Sequence, residues 1–148
     1  MGEQPLVIEE RNVEIESGDD RGVTWRTLTS ADRTPTQELT SGVCEIAPGG
    51  ELALHRHPPL ELYYFLDGTG VVTLGTDDHC VRRGSTIYIP GGTPHRIRND
   101  GAEPLRLFGY WGPHPIRMAP LSSRHPMREI EAWTMPSWES GSEGRGSK

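Results

Sequence analysis

Three histidines and one glutamate lie at spacings that bring their side chains together in a β-structure. His55 and His57 stand two residues apart, so in a strand both side chains point to the same side of the sheet. Glu61 follows after two prolines that interrupt this strand, and His95 opens a later strand. Three imidazoles and one carboxylate that face one point suit divalent Fe, Mn, Ni, Co or Zn. The spacing therefore predicts a site for a divalent transition metal.

These residues are the centre of two complete motifs. The first reads glycine, five residues, His-x-His, three residues, glutamate, six residues, glycine, and the second reads glycine, five residues, Pro-x-Gly, two residues, histidine, three residues, asparagine. The matching positions are Gly49, His55, His57, Glu61 and Gly68 in the first motif and Gly84, Pro90, Gly92, His95 and Asn99 in the second. Both motifs resemble the signatures of the cupin superfamily, over roughly residues 37–111. The resemblance implies a small single-domain cupin of the type 2 conserved-barrel kind, with His55, His57, Glu61 and His95 as metal ligands.

Short strands separated by turns dominate the chain. It has 18 glycines, 13 prolines and only 33% apolar residues, which favours many short strands over a helical bundle. Eight or more strands without a helix-length periodic segment are typical of a sandwich or jelly-roll barrel. We expect residues 67–70 to form a hairpin connection, and the last two strands, on either side of residues 100–101, to pair with each other. The resemblance specifies an all-β fold, a double-stranded β-helix or jelly-roll cupin barrel with extended N- and C-terminal arms.

Changes in composition divide the chain into four segments. Residues 1–22 are expected to be a flexible acidic arm, and residues 23–112 the cupin β-barrel. Residues 113–136 are rich in proline and are expected to form a tail that wraps the domain, with one short helix around residues 127–133. Residues 137–148 are rich in glycine, serine and charge, and we expect them to be disordered.

Charge and composition exclude several classes of partner. The net charge of −6 and the pI of about 5.5, without a basic stripe, argue against nucleic-acid binding. The first twenty residues contain seven acidic side chains and no apolar run, so we expect no secretory signal, no membrane span and a cytoplasmic location. Cys44 and Cys80 are expected to be small buried thiols that stay reduced.

Tyr63 is the strongest candidate for a catalytic side chain beside the metal. It stands two residues beyond Glu61 and should point into the same cavity. A phenol near a Lewis-acidic metal can act as a general base or orient a substrate, although a tyrosine that only fills a barrel is commoner. Tyr63 and Glu61 are therefore the candidate catalytic residues. Further candidates for the walls of the cavity are Trp25, Tyr88, Phe108, Tyr110 and Trp111, with Arg106 as the arginine least excluded from it.

The strand over residues 60–66 is apolar on both faces. One face, with Glu61 and Tyr63, can line the interior, while Leu62 and Tyr64 on the other face are too apolar for contact with water. A partner subunit or the N-terminal segment must cover that second face. The resemblance to cupins, which commonly dimerise, favours a homodimer.

Three kinds of function follow from the resemblance. The first is a metal-dependent enzyme that acts on a small oxygen-rich or carboxylate substrate by metal polarisation and proton transfer, as a lyase or isomerase. The Glu61-x-Tyr63 sequence is similar to the small cupin dimethylsulfoniopropionate lyases, which implies β-elimination driven by a carboxylate and a tyrosine base. The alternatives are a dioxygenase that uses Fe or Ni with O2, and a cupin that binds a small molecule without turnover. A purely structural barrel is disfavoured because unpaired polar groups inside it would cost stability.

Overall fold

The structure, a computed structural model, describes residues 4–36, 39–112 and 128–129. In this part of the chain, β-strands and one 3₁₀ turn (Glu10–Asn12) are the regular elements, and no α-helix is present. The strands are β1 (Glu16–Ser17), β2 (Val23–Thr29), β3 (Thr40–Ile46), β4 (Glu51–Arg56), β5 (Glu61–Asp67), β6 (Thr69–Leu74), β7 (Asp77–Arg82), β8 (Thr86–Ile89), β9 (His95–Arg98), β10 (Leu105–Trp111) and β11 (Arg128–Glu129).

The strands form two sheets, and their inward side chains make one shared core. The six-stranded sheet has the order β1-β2-β3-β10-β5-β8, and the five-stranded sheet has the order β11-β4-β9-β6-β7. Every pairing is antiparallel except that of β11 with β4, which is parallel. Large side chains from both sheets fill the space between them, among them Ile46, Phe65, Val72, Ile97 and Leu107. The predicted all-β jelly-roll barrel is confirmed.

Strand β5 shows how the sequence pattern determines which side chains face the core. Glu61, Tyr63 and Phe65 alternate with Leu62 and Tyr64, and the first three are buried whereas the other two are exposed. This is the period of two that a pleated strand imposes. Full burial of a side chain such as Phe65 contributes about 1.5–3 kcal/mol to stability.

Two predicted connections are wrong. Residues 67–70 do not form a hairpin, because β5 and β6 belong to different sheets, and the same is true of β9 and β10. At the first of these corners Gly68 has φ +82°, and a Cβ there would lie 2.3 Å from the carbonyl oxygen of Pro104. A glycine turn that closes a hairpin and one that carries the chain from one sheet to the other have the same local sequence. Only the pairing partners distinguish them.

The N-terminal residues contact the outside of the six-stranded sheet. Glu10 forms ion pairs with Arg26 and Arg106, and Glu16 forms one with Arg33 at 2.9 Å. These contacts hold the described part of residues 1–22 against the barrel, and its flexibility in solution stays a prediction.

The C-terminal residues that the structure describes are extended. Arg128 and Glu129 form β11 and pair with His55 and Arg56 of β4, so the helix expected around residues 127–133 is wrong at these two positions. The other residues of the predicted wrapping and disordered tails lie outside the described part of the chain.

The two cysteines differ in exposure. Cys44 is buried, and burial raises the pKa of its thiol to about 12. Cys80 is exposed on β7, so its predicted burial is wrong: β7 is an edge strand, and all its side chains except the buried Val81 are exposed. The described residues include no helix of the length and hydropathy that a bilayer crossing requires. A cytoplasmic location stays a prediction.

Candidate metal centre

The three histidines of the two motifs meet inside the barrel, on the five-stranded sheet. His55 near the end of β4 and His95 at the start of β9 are direct partners across the two strands. Their ring centroids are 4.1 Å apart, and the ring of His57, just beyond β4, lies 5.6 Å from that of His55 and 5.1 Å from that of His95. All three side chains are buried, and one nitrogen from each lies within 4.8 Å of the others.

Backbone carbonyl groups determine which nitrogen of each ring faces the centre. Nδ1 of His55 lies 2.7 Å from the carbonyl oxygen of Ala53, Nδ1 of His57 lies 2.9 Å from that of Pro59, and Nδ1 of His95 lies 2.8 Å from that of Thr93. A carbonyl oxygen only accepts hydrogen bonds, so each Nδ1 must carry the proton. In the neutral ring, Nε2 therefore keeps its lone pair, as a metal ligand requires.

Glu61 brings the fourth donor from the opposite sheet. It is the first residue of β5, and its Oε1 and Oε2 lie 3.0 Å from Nε2 of His57 and 3.0 Å from Nε2 of His95, respectively. Both Nε2 atoms are buried and make no hydrogen bond to any residue that the structure describes. A lone pair that faces a carboxylate at this distance is repelled unless a cation, either a proton or a metal ion, lies at the centre. Three imidazole nitrogens and one carboxylate fit a divalent transition metal, so the four side chains suit the ion that the sequence predicts.

Burial and mutual charge shift the pKa values of these groups. Burial lowers the pKa of His55 to about 3, with the neighbouring His95 acting in the same direction. Burial also acts to lower the pKa of His57, but the nearby negative carboxylate of Glu61 outweighs it and raises that pKa. For Glu61, burial acts to raise the pKa, and the two facing histidines, His95 first, lower it well below its ordinary value. The carboxylate is thus ionised and can accept hydrogen bonds or bind a cation.

The remaining positions of the second motif hold the chain around the site. The N–H of Gly92 donates to the carbonyl oxygen of His57 at 2.7 Å. Beside it, Gly91 packs so closely that a Cβ would lie 1.9 Å from the carbonyl oxygen of Pro58. Asn99 is buried, and its side-chain N–H groups donate to the carbonyl oxygens of Ile46 and Glu103, each at 2.8 Å. These residues fix loops rather than offer ligands.

Two further buried side chains donate hydrogen bonds to Glu61. The hydroxyl of Tyr63 donates to Oε2 and the indole N–H of Trp111 donates to Oε1. Burial, together with the charge of Glu61, raises the pKa of Tyr63 well above its ordinary value, so the phenol keeps its proton. The sequence placed Trp111 only among possible wall residues. Its contact depends on the pairing of β10 with β5, whereas the sequence predicts a pairing of β10 with β9.

Several other predicted wall residues face outward. Tyr88 and Phe108 are exposed, and Tyr110 is directly opposite the exposed Leu62. Arg106 lies on the outside, in ion pairs with Glu10 and Glu45, so its predicted place near the cavity is wrong. These errors have one cause: the face of a residue on β8 or β10 follows from strand register, which the sequence did not determine.

The family of the chain follows from the stretch that contains this centre. Residues 42–111 match the family described as Cupin domain. This stretch of the chain belongs to the cupin superfamily.

Known proteins resemble the chain in sequence or in fold. The chain is 37% identical over 94 residues to dimethylsulfoniopropionate lyase DddW of Ruegeria pomeroyi, with 62% of each chain aligned. It is 45% identical over 73 residues to an uncharacterised protein of Methanocaldococcus jannaschii, with 49% of this chain and 57% of that protein aligned. The chain thus spans about six tenths of the length of these curated relatives. The structure of the polyketide cyclase RemF of Streptomyces resistomycificus matches with a TM-score of 0.69 at 20% identity, over 83% of this chain and 90% of that chain, which shows the shared fold.

Proposed function

We propose that this cupin is a metal-dependent lyase that eliminates a β-substituent from a small carboxylate substrate. The observation that carries the proposal is the hydrogen bond from the Tyr63 hydroxyl to Glu61, beside three clustered histidines. The similarity to dimethylsulfoniopropionate lyase DddW supports the same reaction class. His55, His57, His95 and Glu61 would hold the ion, and a bound divalent metal supplies a Lewis acid that polarises the substrate carboxylate.

Tyr63 and Glu61 are proposed to move the proton together. Because the phenol keeps its own proton, it cannot take another until that proton leaves. The hydrogen bond gives the route: the Tyr63 proton passes to Oε2 of Glu61 as the phenolic oxygen takes a proton from the carbon next to the substrate carboxylate. The electron pair of the broken C–H bond forms the carbon–carbon double bond. The bond from the β-carbon to its substituent then breaks, and its electron pair leaves with that group.

An elimination assay tests this proposal. Metal-loaded protein is incubated with dimethylsulfoniopropionate, and the alkene protons of the product are followed by NMR without O2. We expect wild-type turnover, a roughly 10²- to 10⁴-fold loss in Tyr63→Phe, and no change in Tyr64→Phe, which alters an exposed ring on the same strand.

Three results would contradict parts of the proposal. Absence of alkene from wild-type protein, with this substrate and with other β-substituted propionates, would exclude the lyase. A requirement for O2 would favour the dioxygenase instead. Unchanged turnover in Tyr63→Phe would remove the tyrosine from the reaction and leave Glu61 to take the proton.

We also propose that the protein is a homodimer. Four large apolar side chains on β5, β8 and β10 form what we name the apolar outer patch: Leu62, Tyr64, Tyr88 and Phe108, which are 40%, 47%, 57% and 36% exposed. They are neighbours in register, since Leu62 pairs with Tyr88 and Tyr64 with Phe108. Contiguous exposed apolar surface of this kind marks an interaction site. We propose that a second copy of this chain binds there.

A further inference from the structure

Glu61 is held by two side chains that are not candidate metal ligands. Trp111 is its direct partner across β5 and β10, so both side chains rise from the same face of the sheet. The indole N–H of Trp111 donates to Oε1, and the hydroxyl of Tyr63 donates to Oε2. Each carboxylate oxygen therefore has one such donor and one facing histidine, His57 on Oε1 and His95 on Oε2.

The Trp111 indole occupies the space that the missing side chain of Gly109 leaves open. Gly109 lies two residues before Trp111 on the same face, and a Cβ at Gly109 would stand 2.8 Å from Cη2 and 3.0 Å from Cζ2 of the indole. Tyr63 is directly opposite Gly109, and its ring meets the indole edge to face with centroids 6.4 Å apart. The indole thus lies across Gly109 and packs against Tyr63, so it has little room to turn away from Glu61.

We propose that Trp111 is a positioning residue for Glu61. The indole N–H of Trp111 sets the orientation of the Glu61 carboxylate toward the metal. A carboxylate oxygen has about two acceptor positions. Trp111 occupies one on Oε1, which directs the other toward the His57 side of the centre. This inference rests on the proposed metal site, and it assigns to Trp111 the outer hydrogen bond that ligating carboxylates commonly need.

A matched pair of tryptophan variants separates positioning from packing. Trp111→Phe keeps an aromatic ring and removes the N–H that Glu61 accepts. Trp25→Phe is the control, because Trp25 belongs to the same buried core and its Nε1 has no hydrogen-bond partner in the described part of the chain. Gly109→Ala is the third variant, since its methyl group would displace the indole while leaving the indole N–H in the chain.

The first measurement is the dissociation constant of Zn(II) and of Mn(II), obtained by competition with a chelator. We expect Trp111→Phe to bind each ion roughly 10- to 100-fold more weakly than wild type. Gly109→Ala should also weaken binding, and Trp25→Phe should keep the wild-type constant. Equal affinity in Trp111→Phe and Trp25→Phe would overturn the positioning role.

The second measurement uses metal-free protein and the two-dimensional ¹⁵N–¹H NMR spectrum of the tryptophan indoles. The N–H of Trp111 should resonate far downfield because its acceptor is charged. In Glu61→Leu it should move upfield, while the signal of Trp25 stays in place. A Trp111 signal that does not respond to Glu61→Leu would overturn the inference. If wild-type protein binds neither ion, the proposed metal-dependent function fails, and the indole signal alone then decides whether Trp111 positions Glu61.

Discussion

The two sheets share one interior but present opposite surfaces to the outside. On the five-stranded sheet, arginines that alternate with His95 and Ile97 face outward and form ion pairs, Arg96 with Glu51 and Arg98 with Asp78. On the six-stranded sheet, the apolar outer patch occupies the corresponding position. The sheet that carries the histidines is therefore suited to water on its outer face, and the sheet that carries the carboxylate is not.

This difference shows that the inner and outer faces of a strand are constrained independently. The inward side chains of β5 complete the polar centre, and its outward side chains form the apolar outer patch. If a second copy covers that patch, the strand that positions Glu61 is buried on both faces. The carboxylate would then be held more rigidly than its place in a single barrel implies.

The largest expected effect is a loss of bound metal when histidines on the inner face of the five-stranded sheet are replaced. His55→Ala, His57→Ala and His95→Ala should each lower the bound metal far below one ion per chain, because each removes one of four donors. Arg96→Ala changes an outward side chain on β9, the strand of His95, and this variant should retain the metal. Elemental analysis of protein purified without chelator measures both, with circular dichroism to confirm the β-fold. Full occupancy in all three histidine variants would refute the ligand assignment.

The next largest effect is a difference in folding stability between variants on the two faces of β5. Tyr63→Ala empties a buried position and should destabilise the fold by about 3–5 kcal/mol. Tyr64→Ala, one residue further on and exposed, should change the stability of the monomer by no more than about 0.5 kcal/mol. Urea denaturation at low protein concentration gives both values. Similar losses in the two variants would mean that the assignment of inner and outer faces on β5 is wrong.

A smaller effect tests the apolar outer patch. Light scattering at micromolar concentration should give about twice the chain mass of 16.4 kDa. Tyr64→Glu should shift the protein toward monomer, because it places a charge in the interface. Cys80→Glu, an equal change of charge on the outside of the other sheet, should not. A wild-type monomer would argue against the dimer.

The smallest effect lies at the edge of the six-stranded sheet. Burial acts to raise the pKa of Glu16, but hydrogen bonds from Arg33 and Thr27 outweigh it and lower that pKa below its ordinary 4.5. A carboxyl group with a lowered pKa in the folded state stabilises the protein above its unfolded pKa, and this contribution is lost as the pH falls through the folded pKa. Wild type should therefore exceed Glu16→Gln in stability near pH 7 by the small amount typical of exposed pairs, about 0–1 kcal/mol. Denaturant unfolding near pH 3 should show a smaller difference, and a difference that grows at acid pH would contradict this prediction.

The sequence predicted the features that depend on local periodicity. His55 and His57 share a face because strand side chains alternate, and the same rule separated the buried Tyr63 from the exposed Tyr64. The fold class followed from the strands, the turns and the two cupin motifs.

Features that depend on long-range register were not predictable from the sequence. The contact of Trp111 with Glu61 requires the pairing of β10 with β5, and the ion pair of Arg106 with Glu10 joins residues far apart in sequence. The local sequence of residues 67–70 also predicts a hairpin, where the chain instead passes from one sheet to the other. In each case the local pattern fits more than one partner strand.

The central claim is that residues from both sheets hold a single metal ion. The most direct test is an anomalous difference map from crystals of protein purified without chelator, recorded at the absorption edge of the metal that elemental analysis finds. The account predicts one peak per chain, roughly 2.0–2.2 Å from Nε2 of His55, His57 and His95 and from a carboxylate oxygen of Glu61. A map without a peak at this position, or with the metal held by other residues, would contradict it.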